Sequence, residues 1–276
     1  MRLDELLAEA RILIMGILNV TPDSFSDGGL YIDLDRAVAH GEFLEANGAD
    51  IIDVGGVSTR PFAEPVSAEE EMKRVIPVIK KLSQRVSIPI SIDTTSARVA
   101  IKALETGAVM INDISSLRMD PSMGDVVACA DVPIVLMHMQ GTPQTMQIAP
   151  YYNDVIQEII DFLSDSIDLA CSKGIRREHI IVDPGIGFGK TVDHNLTIIK
   201  ELGRFSVLGQ PILIGASRKG FIGEVLGVDN PSQRDIGTLA VTAVSVMNGA
   251  NIIRVHDVKR SAEVVRMAEA IKNATK

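Results

Sequence analysis

Tryptophan is absent from this chain, and with only 3 tyrosines and 7 phenylalanines the aromatics make up 4% of its 276 residues. Platforms that stack successive nucleic-acid bases need such rings, and this chain has too few to supply them. Basic residues are also in deficit: 27 Lys and Arg stand against 36 Asp and Glu, a net charge of -9. That balance argues against a nucleic-acid face while leaving room for a local cationic pocket. Cysteine occurs twice, at Cys129 and Cys171. The two lie far apart on predicted helices with no metal-ligand spacing around them, and they read as reduced core thiols of a cytosolic protein in preference to a disulfide. No apolar run reaches about 18 residues, so no membrane span is expected. The opening Met1-Arg-Leu-Asp-Glu-Leu-Leu-Ala-Glu-Ala is acidic and amphipathic, without the cationic start and long apolar core of a signal peptide, and the expected location is the cytoplasm.

Apolar residues are plentiful, at 46%, and they are organised. Short β-branched runs fall at Ile12–Leu18, Asp50–Val54, Pro89–Ile92, Val109–Asn112, Val132–Met137, Ile180–Val182, Pro211–Ile214 and Asn251–Val255. They are near-continuously apolar, as strands buried on both faces should be. Helical patterns lie between them. Ser67-Ala-Glu-Glu has capping-box spacing and leads into Lys73–Leu82. Tyr151–Lys173 ends at Gly174, and Arg234–Asn248 ends at Gly249, both plausible helix stops. This βα alternation implies a parallel sheet. Eight units, with no Gly-x-Gly-x-x-Gly after the first strand, favour a closed (β/α)8 TIM barrel over an open doubly wound sheet. No linker or low-complexity tract divides the chain, so residues 1–276 are expected to form one α/β domain.

In such a barrel the C-terminal strand ends form the active face. They carry Asn19, Asp53, Asp93, Asn112, His138, Asp183, the Gly215-Ala-Ser-Arg-Lys219 turn, and Arg254 with His256. Any one of these is explicable as a cap or a satisfied core group, and Asp53 reads that way in preference to direct catalysis. Eight polar ends converging on one mouth call for a ligand, a metal or water to pair with them. Asp93, Asn112 and Asp183 suit a flat heterocycle with adjacent N–H groups, such as an amino-pyrimidinone edge. Lys219 supplies a cation for a ring carbonyl or ring nitrogen. Phe188, in Asp183-Pro-Gly-Ile-Gly-Phe-Gly-Lys190, either stacks on such a ring or anchors its loop; three glycines there allow close backbone approach. Arg254 and His256 are suited to grip a phosphate, and Asn19 to offer Mg²⁺ a carbonyl oxygen. Two stretches rich in Pro, Gly, Ser and Asp follow the first and second strands, from Thr21 to Gly29 and from Val57 to Pro65, and read as long mobile loops that shield a reactive centre.

Seven ordered motifs then add a family likeness: Asn19-Val-Thr-Pro-Asp-Ser-Phe-Ser-Asp-Gly-Gly, Ser58-Thr-Arg-Pro61, Ser91-Ile-Asp-Thr94, Asn112-Asp-Ile, Asp183-Pro-Gly-Ile-Gly-Phe-Gly-Lys190, Ser217-Arg-Lys219 and Arg254-Val-His-Asp-Val258. Together they resemble the dihydropteroate synthases, from about residue 12 to residue 272. The resemblance implies condensation of hydroxymethyl-dihydropterin diphosphate with para-aminobenzoate, with Mg²⁺ as cofactor, through a dihydropterin cation left when diphosphate departs. It implies that Asp93, Asn112, Asp183 and Lys219 hold the pterin, with Met137, Phe188 and Gly215 lining its slot. It assigns Asn19, Arg60, Arg254 and His256 to diphosphate and metal, and Thr59, Pro61, Ser217 and Lys219 to the aminobenzoate subsite. Catalysis is expected of Asp93, Lys219, Arg254, His256 and Arg60. A homodimer through the late barrel helices is implied as well. Phe62 stands where the family usually has glycine. The nearest alternative is a methyltetrahydrofolate–corrinoid methyltransferase; a non-catalytic pterin carrier would need neither Asn19 nor Arg254 and His256. Arg218 is expected to form a salt bridge to a neighbouring helix.

Overall fold

The computed structural model describes residues 6, 9, 11–21, 30–58 and 66–274. Eight strands appear in chain order: β1 (Leu13–Asn19), β2 (Ile51–Gly55), β3 (Ile90–Asp93), β4 (Met110–Asp113), β5 (Ile134–Met137), β6 (Ile180–Asp183), β7 (Leu213–Ile214) and β8 (Ile252–Val255). Between and after them run α1 (Leu30–Ala46), α2 (Ala68–Leu82), α3 (Ala97–Thr106), α4 (Met123–Ala130), α5 (Val155–Ser172), α6 (Val192–Lys200), α7 (Gly220–Leu226), α8 (Asp235–Met247) and α9 (Val258–Lys272). The sheet is parallel throughout, in the order β6-β5-β4-β3-β2-β1-β8-β7. A single bridge between Val182 and Ile212 joins its two edges, the Val182 N–H donating to Pro211 O at 2.9 Å, and closes the barrel. The short β7 follows from Pro211, which has no N–H to give to a ladder.

Continuous apolar runs are needed because both strand faces are covered. Leu13, Met15, Ile51, Met110, Val135, Ile181, Leu213 and Ile252 fill the barrel interior, joined by Leu6. The alternating neighbours Ile14, Ile52, Ile111, Ile134, Val182, Ile214 and Ile253 pack in the larger core together with helix residues. Several ladders run one residue beyond the apolar runs. Asn19 pairs with Gly55, Gly55 with Asp93, Asp93 with Asn112, and Met137 with Asp183. The polar strand ends are thus inside the sheet, which fixes their backbones.

Helix starts follow local chemistry. Ser67 caps α2, its Oγ accepting from Glu70 N at 3.2 Å, while Glu70 turns its carboxylate to Arg74 Nε at 3.1 Å. The helix expected from Tyr151 begins instead at Val155, because the Asp154 carboxylate accepts from Ile156 N and Gln157 N. Gly48, Gly107, Gly174 and Gly249 all take positive φ where helices end. Both cysteines are free, as expected, but they are not core thiols: Cys129 on α4 is exposed and Cys171 on α5 half-buried. Among the described residues no helix is long and apolar enough to cross a membrane.

Candidate active site

Side chains on a strand alternate between its faces, so two residues beyond each interior position the chain points inward again. That rule selects Asp53 after Ile51, Asn112 after Met110, Met137 after Val135, Asp183 after Ile181, Gly215 after Leu213 and Arg254 after Ile252, and also Asp93 after Ser91, the residue that pairs with interior Met110. The barrel is therefore apolar below and polar above, and six of these seven residues are ones the sequence singled out for the ligand.

Arg254 organises the polar layer. Its Nε donates to Asp53 Oδ2 at 2.6 Å and its Nη2 to Asp93 Oδ2 at 2.7 Å, crossing from β8 to β2 and β3. Asn112 Nδ2 donates to the same Asp53 oxygen at 2.9 Å. Burial alone lowers the basicity of Arg254, but the charges of Asp53 and Asp93 more than offset it and hold the guanidinium above its ordinary value. Burial raises the Asp93 carboxyl well above the usual carboxylate range; Arg254 and Lys219 pull it down, while Asp53 and Glu71 push it up. Asp53, expected as a structural carboxylate, is fully buried and joins the arginine to the amide.

Asp183 heads the next loop. Its Oδ1 accepts from Gly185 N at 2.7 Å, and burial pushes its carboxyl up to about 6 against the pull of that hydrogen bond and of Lys219, Lys190 and Arg254. Lys219 lies with its Nζ 4.0 Å from the centroid of the Phe188 ring, and burial then the charge of Arg254 lower it to about 8. Phe188 packs with Ile114, Met137, Met139 and Met146, so its loop-anchoring role is real, and its ring also meets the lysine. Gly215 leaves open the space between Arg254 and Asp183: a Cβ there would lie 3.9 Å from Arg254 Cβ and 4.0 Å from Asp183 Oδ2. Gly185 takes φ +72, and a Cβ on it would strike the His138 carbonyl oxygen, so only glycine fits that turn.

At the rim, Ser217 Oγ lies 2.9 Å from His256 Nδ1 and accepts from His256 N at 3.2 Å. Burial and the charges of Arg218, Arg254 and Lys219 lower His256 to about 3, which keeps its ring neutral. With Ser217 donating to Nδ1, the Nε2–H is the free donor. Arg218 binds Asp235 at the start of α8 through Nε at 2.6 Å and Nη2 at 3.0 Å, the salt bridge expected of it. It does so from φ 58, a left-handed backbone position.

Some residues sit elsewhere. The His138 side chain is buried against Lys190, with Lys190 Nζ 2.9 Å from its Nδ1. Thr59, Arg60, Pro61 and Phe62, most of the first loop from residue 22 to 29 and the second from 59 to 65 lie outside the described residues. Two further groups are buried: Lys190, at the end of its motif, and Glu71 on α2. Glu71, in the acidic first turn of α2, is buried with Val75, Val78, Ile79 and Leu82, and that apolar spacing is its signal. Its carboxyl is raised by burial, and its Oε1 has no hydrogen-bond partner among the described residues.

For a divalent ion the site offers a cradle in place of a cage. Among the described residues no three His, Cys, Asp or Glu cluster as metal ligands. A Cβ on Gly55 would fall 3.6 Å from Asp93 Oδ2 and 3.7 Å from Asn19 Oδ1, so the glycine keeps that space open beside two oxygens. Few protein oxygens, completed by water and substrate phosphate, suit Mg²⁺.

Comparison with known proteins agrees with this geometry. The family described as pterin binding enzyme matches residues 15–256. The chain is 48% identical over 261 residues to the dihydropteroate synthase of Synechocystis sp., covering 95% of this chain and 90% of that protein. It is 47% identical to that of Escherichia coli K12, with 95% and 92% covered. The structure of Yersinia pestis dihydropteroate synthase with a sulfonamide drug complex superposes with a TM-score of 0.91 at 44% identity, covering 96% of each chain. Xanthomonas albilineans dihydropteroate synthase in complex with 7,8-dihydropteroate gives 0.88 at 42% identity, covering 96% and 95%. The chain belongs to the pterin-binding enzymes, as a member of the dihydropteroate synthase family.

Proposed function

We propose that this chain joins hydroxymethyl-dihydropterin diphosphate to para-aminobenzoate, releasing diphosphate and dihydropteroate. The observation that carries this is the polar mouth above the apolar barrel interior, where buried Asp183 and Asn112 share one layer with Arg254 and the loops beyond add His256 and Lys219. Asp183 Oδ2 and Asn112 receive the N–H edge of the pterin, and Gly215, Met137 and the Phe188–Lys219 pair border its ring. Arg254 and His256 meet the diphosphate. Its negative charge offsets the burial that keeps His256 neutral, so the histidine takes up a proton and donates to the leaving oxygen.

Asn19 would hold Mg²⁺ through its side-chain oxygen; when bound, the ion supplies positive charge against the diphosphate. As the carbon–oxygen bond breaks, the electron pair leaves with diphosphate and the positive charge spreads into the pterin ring. Asp93, already opposite Arg254, stabilises that cation more as the diphosphate draws the arginine away. The aminobenzoate nitrogen is a weak nucleophile and attacks the exposed carbon only after the cation forms, then loses a proton. Ser217 and Lys219 border its subsite; the parts that the family resemblance implies for Thr59, Pro61 and Arg60 fall on residues outside those described. Turnover measured with pterin diphosphate and Mg²⁺ tests this: dihydropteroate formation, and diphosphate release sustained beyond one equivalent of enzyme, should require aminobenzoate. No dihydropteroate on adding aminobenzoate, or methyl transfer from methyltetrahydrofolate in its place, would overturn it.

A homodimer is part of the same reading. Ile236, Val244 and Met247 on α8 and Met267 and Ile271 on α9 are exposed apolar side chains on two helices that pack together. A second copy would bury them. Sedimentation of Ile236→Glu/Met267→Glu should show the monomer, and an unchanged mass would refute the interface.

A further inference from the structure

We propose that Lys190 is a positioning residue for the pterin subsite: from beneath the loop that begins at Asp183 it pins the loop's course and keeps the Asp183 carboxylate ionised. This rests on Asp183 being the acceptor for the pterin edge.

Lys190 closes that loop and is only 3% exposed. Its Nζ donates to Phe188 O at 3.0 Å and lies 2.9 Å from His138 Nδ1. The histidine is itself enclosed, its ring edge-on to Phe162 at 4.8 Å and tilted to Tyr152 at 6.0 Å. Burial, then the charges of Lys190 and Arg118, drive His138 down to about 2, so it is a neutral ring that accepts from the lysine. The ammonium therefore has two neutral partners. A buried charge with neutral partners alone is costly, and an opposite charge must offset it.

Asp183 is that opposite charge. It raises Lys190 against burial and the Lys219 charge, which still leave the lysine lowered to about 7. The coupling is reciprocal: Lys190 is one of three cations, with Lys219 and Arg254, that hold down a carboxyl otherwise raised by burial. Lys219 comes from the loop after β7 and Arg254 from β8, and the Gly185 amide faces the same carboxylate. Of the three cations, Lys219 and Arg254 stand at the mouth, where a ligand competes for them. Lys190 does not, because its nitrogen is spent beneath the loop.

The same residue sets geometry. His138 N donates to Asp183 O at 2.9 Å, so the histidine that Lys190 grips also holds the strand end carrying Asp183. The loop between is closely fitted: Gly189 has φ +67, and a Cβ there would lie 2.8 Å from Gln140 O. Phe188, whose ring lies under Lys219, hangs from the carbonyl that Lys190 binds.

The test compares wild type with Lys190→Met and Lys190→Gln. Two quantities are read across the acid and neutral range: equilibrium binding of 6-hydroxymethylpterin, and the ¹³C carboxyl titration of Asp183 in the ligand-free protein, assigned with Asp183→Asn. Both variants should raise the Asp183 titration by about one pH unit and move the acid limb of pterin binding up by the same amount. Lys190→Met, which also loses both hydrogen bonds, should weaken pterin binding about tenfold on the neutral plateau, and Lys190→Gln by less. The KM for aminobenzoate should stay unchanged. A residue that merely stabilised the fold would lower Tm and leave the pH limb in place. If Lys190→Met fails to fold, Lys190→Gln carries the same loss of charge. Coincident Asp183 titrations in wild type and variants overturn the proposal. Wild type that binds no pterin overturns instead the assignment of Asp183 to the pterin, and the ligand-free titration tells the two failures apart.

Discussion

Gly215→Ala separates the fold from the site. The backbone at Gly215 lies outside the left-handed region, so alanine is allowed there. A new Cβ would find Arg254 Cβ and Cδ at 3.9 Å and Asp183 Oδ2 at 4.0 Å, ordinary contact distances. Removing glycine's extra freedom from the unfolded chain stabilises by about 0.4–1 kcal/mol where the backbone permits it. Thermal unfolding should therefore show an unchanged or slightly raised Tm. The added methyl, however, projects into the space between Arg254 and Asp183 that the pterin ring is to occupy. Overfilling a fitted site by one methyl costs about 1–3 kcal/mol, which is roughly a ten- to hundredfold loss of affinity. Calorimetric titration with a pterin should register that loss while diphosphate binding is retained. Unchanged pterin affinity in a well-folded Gly215→Ala protein would refute the position of the slot.

Gly185→Ala should do the reverse and damage the fold, since left-handed strain of about 1–2 kcal/mol adds to the collision with the His138 carbonyl; urea unfolding should show a lower midpoint, and an unchanged midpoint would contradict the loop geometry. Asp53→Asn removes one of the two carboxylates paired with Arg254, Asp93 keeping the other contact, and should cost about 1–3 kcal/mol of stability, together with a fall in kcat/KM, both read against wild type in denaturation and steady-state assays. Pterin affinity should be flat near neutral pH and fall about tenfold per pH unit below about 6, because the ionised Asp183 is the acceptor. The same carboxyl is raised in the fold from 3.8, so its stabilising contribution is fully present below 3.8 and is lost as pH rises through about 6. Asp183→Asn should therefore flatten the stability curve of the ligand-free protein in that window, and a curve that keeps its slope would count against the assignment.

Much of this was legible in the chain because strands and helices are local patterns. Eight apolar runs marked the eight strands to within about two residues at their ends. The sheet continues into Asp93 and Asp183 because ladder bonds extend beyond the apolar run. The start of α5 was misplaced because Asp154 caps two amides, a stronger local signal than the apolar pattern around Tyr151. The seven motifs named the family, and the inward parity of Asp53, Asp93, Asn112, Asp183 and Arg254 was also within reach, two residues beyond each interior position.

What sequence by itself determined is what depends on near neighbours along the chain: the strand–helix alternation, the polar residue at each strand end and the family those residues spell. Tertiary structure alone decided who pairs with whom. Arg254 reaches Asp53 across 201 residues of chain and Asp93 across 161. No periodicity encodes a contact between side chains of strands that are not neighbours in the sheet and meet only across the closed barrel. Burial was decided the same way: it raised the Glu71 carboxyl, left His256 neutral and lowered Lys190 to about 7. Charge on a side chain is a property of its surroundings, and those exist only once the barrel has closed.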